Sequence, residues 1–210
     1  MLRILAVGNS FSEDATYYLH QILEIAGVEN QVVNLYIGGC SLEKHWRNIE
    51  KNAREYQFQF NGTKTDRRVT VKEVLKEAKW DVIVTQQASH ESFARYNRDQ
   101  QEMFDRLQSA YTAMAGKYQL QLIPCGEMIQ KLRKTPYFQE EGDRSICRDG
   151  FHMHYLYGRY ALGCMWAAAI AGVSIKDNAF QPYTEYLPYG EPGAEILKCI
   201  RKIVAEMSHS

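Results

Sequence analysis

Ile4-Leu5-Ala6-Val7-Gly8-Asn9-Ser10-Phe11-Ser12 is the stretch on which the fold turns. Four apolar residues make a short buried strand, a glycine breaks it, and a serine follows at the strand's carboxyl end. Glu13 to Ala26 then reads as a helix, with Ser12 as its N-cap and Glu13 and Asp14 favourable in the first turn. A hydrolase holds a nucleophilic hydroxyl above a sheet in this way. The hydroxyl needs a base to take its proton, and the base needs a carboxylate to orient it. Asp149-Gly150-Phe151-His152 offers both, three residues apart.

Working outward, Gln31 to Ile37 reads as strand two, closed by Gly38-Gly39, and Leu42 to Arg54 as a helix. Asp81 to Thr85 is strand three and Leu120 to Pro124 strand four. Between strands three and four, Met103, Leu107, Ala110, Tyr111 and Met114 recur at helical steps. Tyr155 to Ala171 and Ala194 to Met207 are the last two helices. Strict alternation over Tyr56 to Phe60, then Asn61-Gly62 and Arg67 to Val71, suggests a small β-hairpin insertion at 56–71 before a helix at Val71 to Ala78. Strands alternating with helices imply an α/β domain whose mainly parallel sheet is covered on both faces. One domain over residues 1–210 is expected, since no repeat or linker interrupts the chain.

Composition narrows the function. The 25 basic and 25 acidic residues cancel, so no global field points to nucleic acid or an anionic membrane. No apolar stretch reaches the roughly 20 residues of a membrane span. The amino terminus enters a strand without a signal-peptide pattern, which points to the cytoplasm, although a trimmed secreted chain would look the same. Cys40, Cys125, Cys147, Cys164 and Cys199 are scattered and odd in number, so they read as reduced thiols. Neither a glycine-rich phosphate fingerprint nor a metal-binding histidine spacing occurs, and no cofactor or metal is expected.

These motifs resemble those of the SGNH (GDSL-like) hydrolases, a superfamily of serine esterases and lipases. The first block of that superfamily, Gly-Asp-Ser-x-Ser, is similar to Gly8-Asn9-Ser10-Phe11-Ser12, with Asn9 for the usual aspartate. Its last block, Asp-x-x-His, matches Asp149 to His152, and Tyr157-Gly158-Arg159-Tyr160 resembles the helix that continues it. Gly38 or Gly39 can serve as its block-two glycine. The resemblance implies a three-layer flavodoxin-like fold with five strands in the order 2-1-3-4-5. It also implies Ser10 as nucleophile, His152 as base in preference to His154, and Asp149 as orienting carboxylate. The oxyanion hole would comprise backbone N–H groups of Ser10 and Gly38 or Gly39, with a side-chain amide after strand three.

At that last place the chain departs from the pattern, with Thr85-Gln86-Gln87-Ala88-Ser89-His90 in place of Gly-x-Asn-Asp. This segment is similar to the Gln-Gly-Glu version of some carbohydrate acetylesterases, which puts the amide at Gln87 with Gln86 as the competitor. Glu13, Asp14, His90 and Glu91 are candidates for the pocket rim. Tyr183, Tyr186 and Tyr189 give a faint push toward a sugar-like partner. The expected function is hydrolysis of a short acyl ester of a carbohydrate or small molecule. The alternative is a non-catalytic flavodoxin-like binding domain that keeps the old pocket.

Overall fold

A computed structural model describes residues 1–88, 100–138, 145–185 and 191–208. It has an α/β architecture around a mixed five-stranded sheet. The strands are β1 (Leu2–Gly8), β2 (Asn30–Tyr36), β3 (Tyr56–Phe60), β4 (Thr63–Val69) and β5 (Val82–Thr85), in the order β4-β3-β2-β1-β5. β1 is central and pairs in parallel with β2 on one side and β5 on the other. β3 pairs antiparallel with β2, and β4 antiparallel with β3.

The expected neighbours of strand one are therefore present, but the 2-1-3-4-5 order is not. Leu120 to Pro124 is not a strand. Gln119 closes the preceding helix in the left-handed region, at φ 54°. Pro124 has no N–H to give to a ladder and is the N-cap of the helix over Cys125–Arg133, so the run is the connection between two helices. The sheet grows at its other edge instead. The hairpin expected at 56–71 is present, and its first strand continues the sheet from β2. Asn61 and Gly62 both have positive φ, 49° and 82°, as a two-residue type I′ turn requires. The Asn61 amide oxygen accepts from Val32 N–H at 2.9 Å, which locks the hairpin to β2.

Side-chain alternation along β1 and β2 divides the core in two. Ile4, Ala6 and Val32 face the larger cluster, built with helices α1 (Ser10–Thr16), α2 (Leu19–Ile25), α6 (Cys125–Arg133), α7 (Tyr157–Ala171) and α8 (Ala194–Ser208). Leu5, Val7, Val33 and Leu35 face the other, with Tyr56, Phe58, Val69, Val71 and Val74. Helices α3 (Leu42–Glu50) and α4 (Val71–Glu77) contribute there, α4 opened by a capping box between Thr70 and Glu73. Helix α5 (Gln100–Tyr118) covers the expected periodic segment, yet Met114 on its apolar face is 51% exposed.

Two helical readings change. The segment 13–26 forms two helices, broken at Tyr17-Tyr18, and the first starts at Ser10. Its cap is Asn9 rather than Ser12. The buried Ser12 hydroxyl lies 2.8 Å from both the Asn9 carbonyl and the Asn34 amide oxygen, and its proton goes to one of them. Among the described residues no helix is long and apolar enough to cross a membrane.

Candidate active site

The parallel pairing brings three strand ends together. Gly8 is opposite Tyr36 and Val7 is opposite Thr85, so the loops after β1, β2 and β5 emerge side by side. Asn9 ties them into one unit. Its side-chain oxygen accepts from Phe11 N–H at 3.0 Å and from Gln86 Nε2 at 3.2 Å, while its Nδ2 donates to the Cys40 carbonyl at 3.0 Å. An aspartate could not make the last of these bonds, because an ionised carboxylate only accepts. Gly8 leaves room for the Gln86 amide and the Ser12 hydroxyl. A Cβ there would stand 2.1 Å from Gln86 Nε2 and 2.6 Å from Ser12 Oγ.

Ser10 is thereby held at the first position of α1. The segment that meets it is a short hairpin. Arg148 N–H donates to the His152 carbonyl at 2.9 Å, and His154 N–H to the Ile146 carbonyl at 2.8 Å. Gly150 turns it with φ 86°, a conformation that L side chains rarely adopt. Asp149 Oδ1 accepts from the backbone N–H groups of Phe151 at 3.3 Å and His152 at 2.8 Å. Its Oδ2 accepts from His152 Nδ1 at 2.6 Å. That bond fixes the ring proton on Nδ1, so Nε2 presents a lone pair to the Ser10 hydroxyl, 2.9 Å away. Burial pushes the Asp149 carboxyl up, but the bonds from the His152 ring and the two backbone N–H groups outweigh it and hold the group below its ordinary range. Phe151 lies against the His152 ring with centroids 4.2 Å apart.

Asp14 holds this hairpin against the helix that carries Ser10. It lies one turn beyond Ser10 on α1, with no exposed side-chain surface. Its Oδ2 accepts from Arg148 Nη1 at 2.9 Å and Met153 N–H at 3.2 Å, and its Oδ1 from Arg159 Nε at 2.7 Å. Arg148 and Met153 directly bracket Asp149 to His152, so the ion cluster grips both ends of that segment. The Arg159 guanidinium also lies over the Tyr17 ring, 4.1 Å from its centroid. Gly158 lets α7 pass beneath, since a Cβ there would stand 2.8 Å from Met153 Cβ and 2.9 Å from the Ile146 carbonyl. Asp14 is a buried anchor, where the sequence suggested a helix-start charge at the rim. The signal available was the arginine pair around the motif, Arg148 and Arg159, which needs a counter-charge.

The competing residues lie apart from this relay. His154 is buried, and its Nδ1 accepts from Leu156 N–H at 3.1 Å and Tyr157 N–H at 3.3 Å, capping the start of α7. Burial, with Arg148 nearby, pushes its ring down to about 4. His152 and His154 thus diverge. Gly38 and Gly39 lie exposed in the turn after β2. Gln86 Nε2 donates to Asn9, and Gln86 Oε1 is buried without a partner. Gln87 Oε1 accepts from Leu42 N–H and Ala88 N–H, each at 2.9 Å, which anchors its amide between the loop and α3. Glu13 faces the hairpin, paired with Lys64 at 2.9 Å. Tyr183 is 68% exposed, and its carbonyl accepts from the Tyr18 hydroxyl. His90, Glu91, Tyr186 and Tyr189 lie outside the described residues.

The profile of DUF4886, a domain of unknown function, matches residues 3–90 and 88–186. The chain belongs to the DUF4886 family. The crystal structure of a DUF4886 family protein from Bacteroides uniformis is similar to it, with a TM-score of 0.83 and 26% identity. That likeness covers 98% of this chain and 93% of the other. No curated protein matches the chain. The DUF4886 match spans both the Ser10 turn and the Asp149–His152 hairpin, so both parts of the relay lie within family sequence.

Proposed function

We propose that this protein is a serine hydrolase of the SGNH type that cleaves an ester, releasing an acetyl-like short acyl group from a carbohydrate or small molecule. The observation that carries the reading is the Ser10–His152–Asp149 relay at 2.9 and 2.6 Å. The central three strands with helices on both faces support a flavodoxin-like origin in which the hairpin extends one edge.

His152 Nε2 takes the proton of Ser10 as Oγ bonds to the ester carbonyl carbon, and Asp149 stabilises the imidazolium that forms. The tetrahedral oxyanion is held by backbone N–H groups of Ser10 and Gly38 or Gly39, with the Gln87 amide as third donor. Gln87 is preferred to Gln86 because its anchored oxygen leaves Nε2 as the free branch of the amide, whereas Gln86 Nε2 already serves Asn9. Collapse of the intermediate breaks the bond to the alcohol, which leaves with the proton from His152. Water then gives its proton to the same nitrogen as it bonds to the acyl carbon; the bond to Ser10 Oγ breaks, His152 returns the proton to that oxygen, and the acid leaves.

Steady-state kinetics on 4-nitrophenyl esters of increasing chain length tests this. Turnover should be highest for acetate and vanish in Ser10→Ala at unchanged melting temperature. A folded wild-type protein with no turnover of any ester would favour the non-catalytic binding domain.

A further inference from the structure

Beyond α1, the face of the sheet that carries α1 becomes polar. Cross-strand register sets Gly8, Tyr36 and Gln57 in one row, and Ala6, Asn34 and Gln59 in the next, which ends on Lys64 of β4. Neighbouring strands are about 4.8 Å apart, so Gln57 lies roughly 10 Å from the nucleophile's turn. Val33, Leu35 and Phe58, one residue away on the opposite face, are buried and apolar. Stability alone would favour similar residues on both faces.

Instead a relay of amides runs under this face. Asn34 Nδ2 donates to Gln59 Oε1 at 2.7 Å, and Gln59 Nε2 donates to Glu13 Oε1 at 2.8 Å and toward Gln57 Oε1 at 3.3 Å. Asn34 and Gln59 are 2% and 4% exposed, so this network is held rigid from below. At its surface stand Glu13, Gln57 and Lys64, with Lys64 Nζ 2.9 Å from Glu13 and 6.0 Å from the centre of the Tyr36 ring. The Tyr36 hydroxyl lies 3.2 Å from where a Gly38 Cβ would stand, which makes this face continuous with the turn after β2.

We propose that the Tyr36–Gln57–Lys64–Glu13 face is the subsite for the alcohol part of the ester, and that this part is a polyhydroxylated ring. The inference rests on reading Ser10 as the nucleophile. Lys64 and Glu13 cancel in charge, so the face does not select an anion. It offers donors and acceptors at fixed positions beside an aromatic ring, the combination that hydroxyl groups and the apolar face of a sugar require. An ester whose carbonyl sits at Ser10 brings its sugar onto this shelf.

The test compares kcat/KM for mono-O-acetylated methyl glucosides and for 4-nitrophenyl acetate in wild type, Lys64→Ala and Gln57→Ala, with melting temperatures as the check on folding. Binding of the same glycosides to Ser10→Ala, with and without Lys64→Ala, is measured by calorimetry. Each shelf variant should lower kcat/KM for the sugar ester at least tenfold more than for the nitrophenyl ester, chiefly through KM. Lys64→Ala should weaken binding to Ser10→Ala by a similar factor. An unchanged ratio in both variants overturns the subsite, as does turnover of nitrophenyl acetate with none of the sugar esters. If wild type turns over neither, the hydrolase reading fails, and the calorimetry alone decides the shelf: binding that depends on Lys64 upholds it and no binding overturns it.

Discussion

Asp14→Asn should damage stability and the site together. The carboxylate is wholly buried and accepts from Arg148, Arg159 and Met153 N–H. The Arg148 and Arg159 side chains are 13% and 5% exposed, so neither reaches bulk water when its counter-charge goes. Arg159 is already short of partners, with Nη1 buried and unbonded. Removing one member of a buried ion cluster typically costs about 3–5 kcal/mol. Against a domain stability of about 5–15 kcal/mol, that leaves a folded but weakened protein. Urea denaturation should show a lower midpoint at unchanged slope. At low temperature, where the variant is still folded, the rate of Ser10 labelling by a fluorophosphonate should fall at least tenfold, because both ends of the 148–153 segment lose their anchor. A stability change below about 1 kcal/mol would refute the ion-cluster argument. A full stability loss with an unchanged labelling rate would refute the positioning argument.

Gln87→Ala should lower ester turnover by roughly 100- to 1,000-fold, the usual effect of one oxyanion donor, while Ser10 labelling stays detectable. Steady-state kinetics checks this, and a large loss in Gln86→Ala with none in Gln87→Ala would move the role to Gln86. Acid should destabilise the fold through His45 and His154, both pushed down to about 4 by burial. Between about pH 6.5 and pH 4 the unfolded chain binds protons that the folded chain refuses. Stability is therefore full above about pH 6.5 and declines as pH falls toward 4. Melting temperatures between pH 7.5 and 4.5 should drop accordingly, and a flat profile would contradict the assignment.

The relay was legible because each half is local: a strand–glycine–serine turn, and an aspartate and a histidine three residues apart on one hairpin. The hairpin at 56–71 announced itself through Asn61-Gly62. Its joining of the sheet did not, since pairing with β2 depends on partners some 25 residues away, such as Gln59 to Asn34. Leu120 to Pro124 misled because a short apolar run gives the same local pattern whether or not a neighbouring strand receives it. Helix α6, which follows directly, went unread beside it. Asp14 was the deepest gap. Its partners lie 134 and 145 residues along the chain, and nothing near Asp14 distinguishes a buried anchor from a favourable first-turn charge.

The central claim is that Ser10 is a nucleophile activated by His152. Fluorophosphonate treatment of the purified protein, read by intact mass and peptide mapping, tests it most directly. One adduct should form, on the peptide containing Ser10, and His152→Ala should suppress it strongly while leaving the melting temperature within a few degrees of wild type. Absence of any adduct on folded wild-type protein, or equal labelling of Ser10 without His152, would contradict the account.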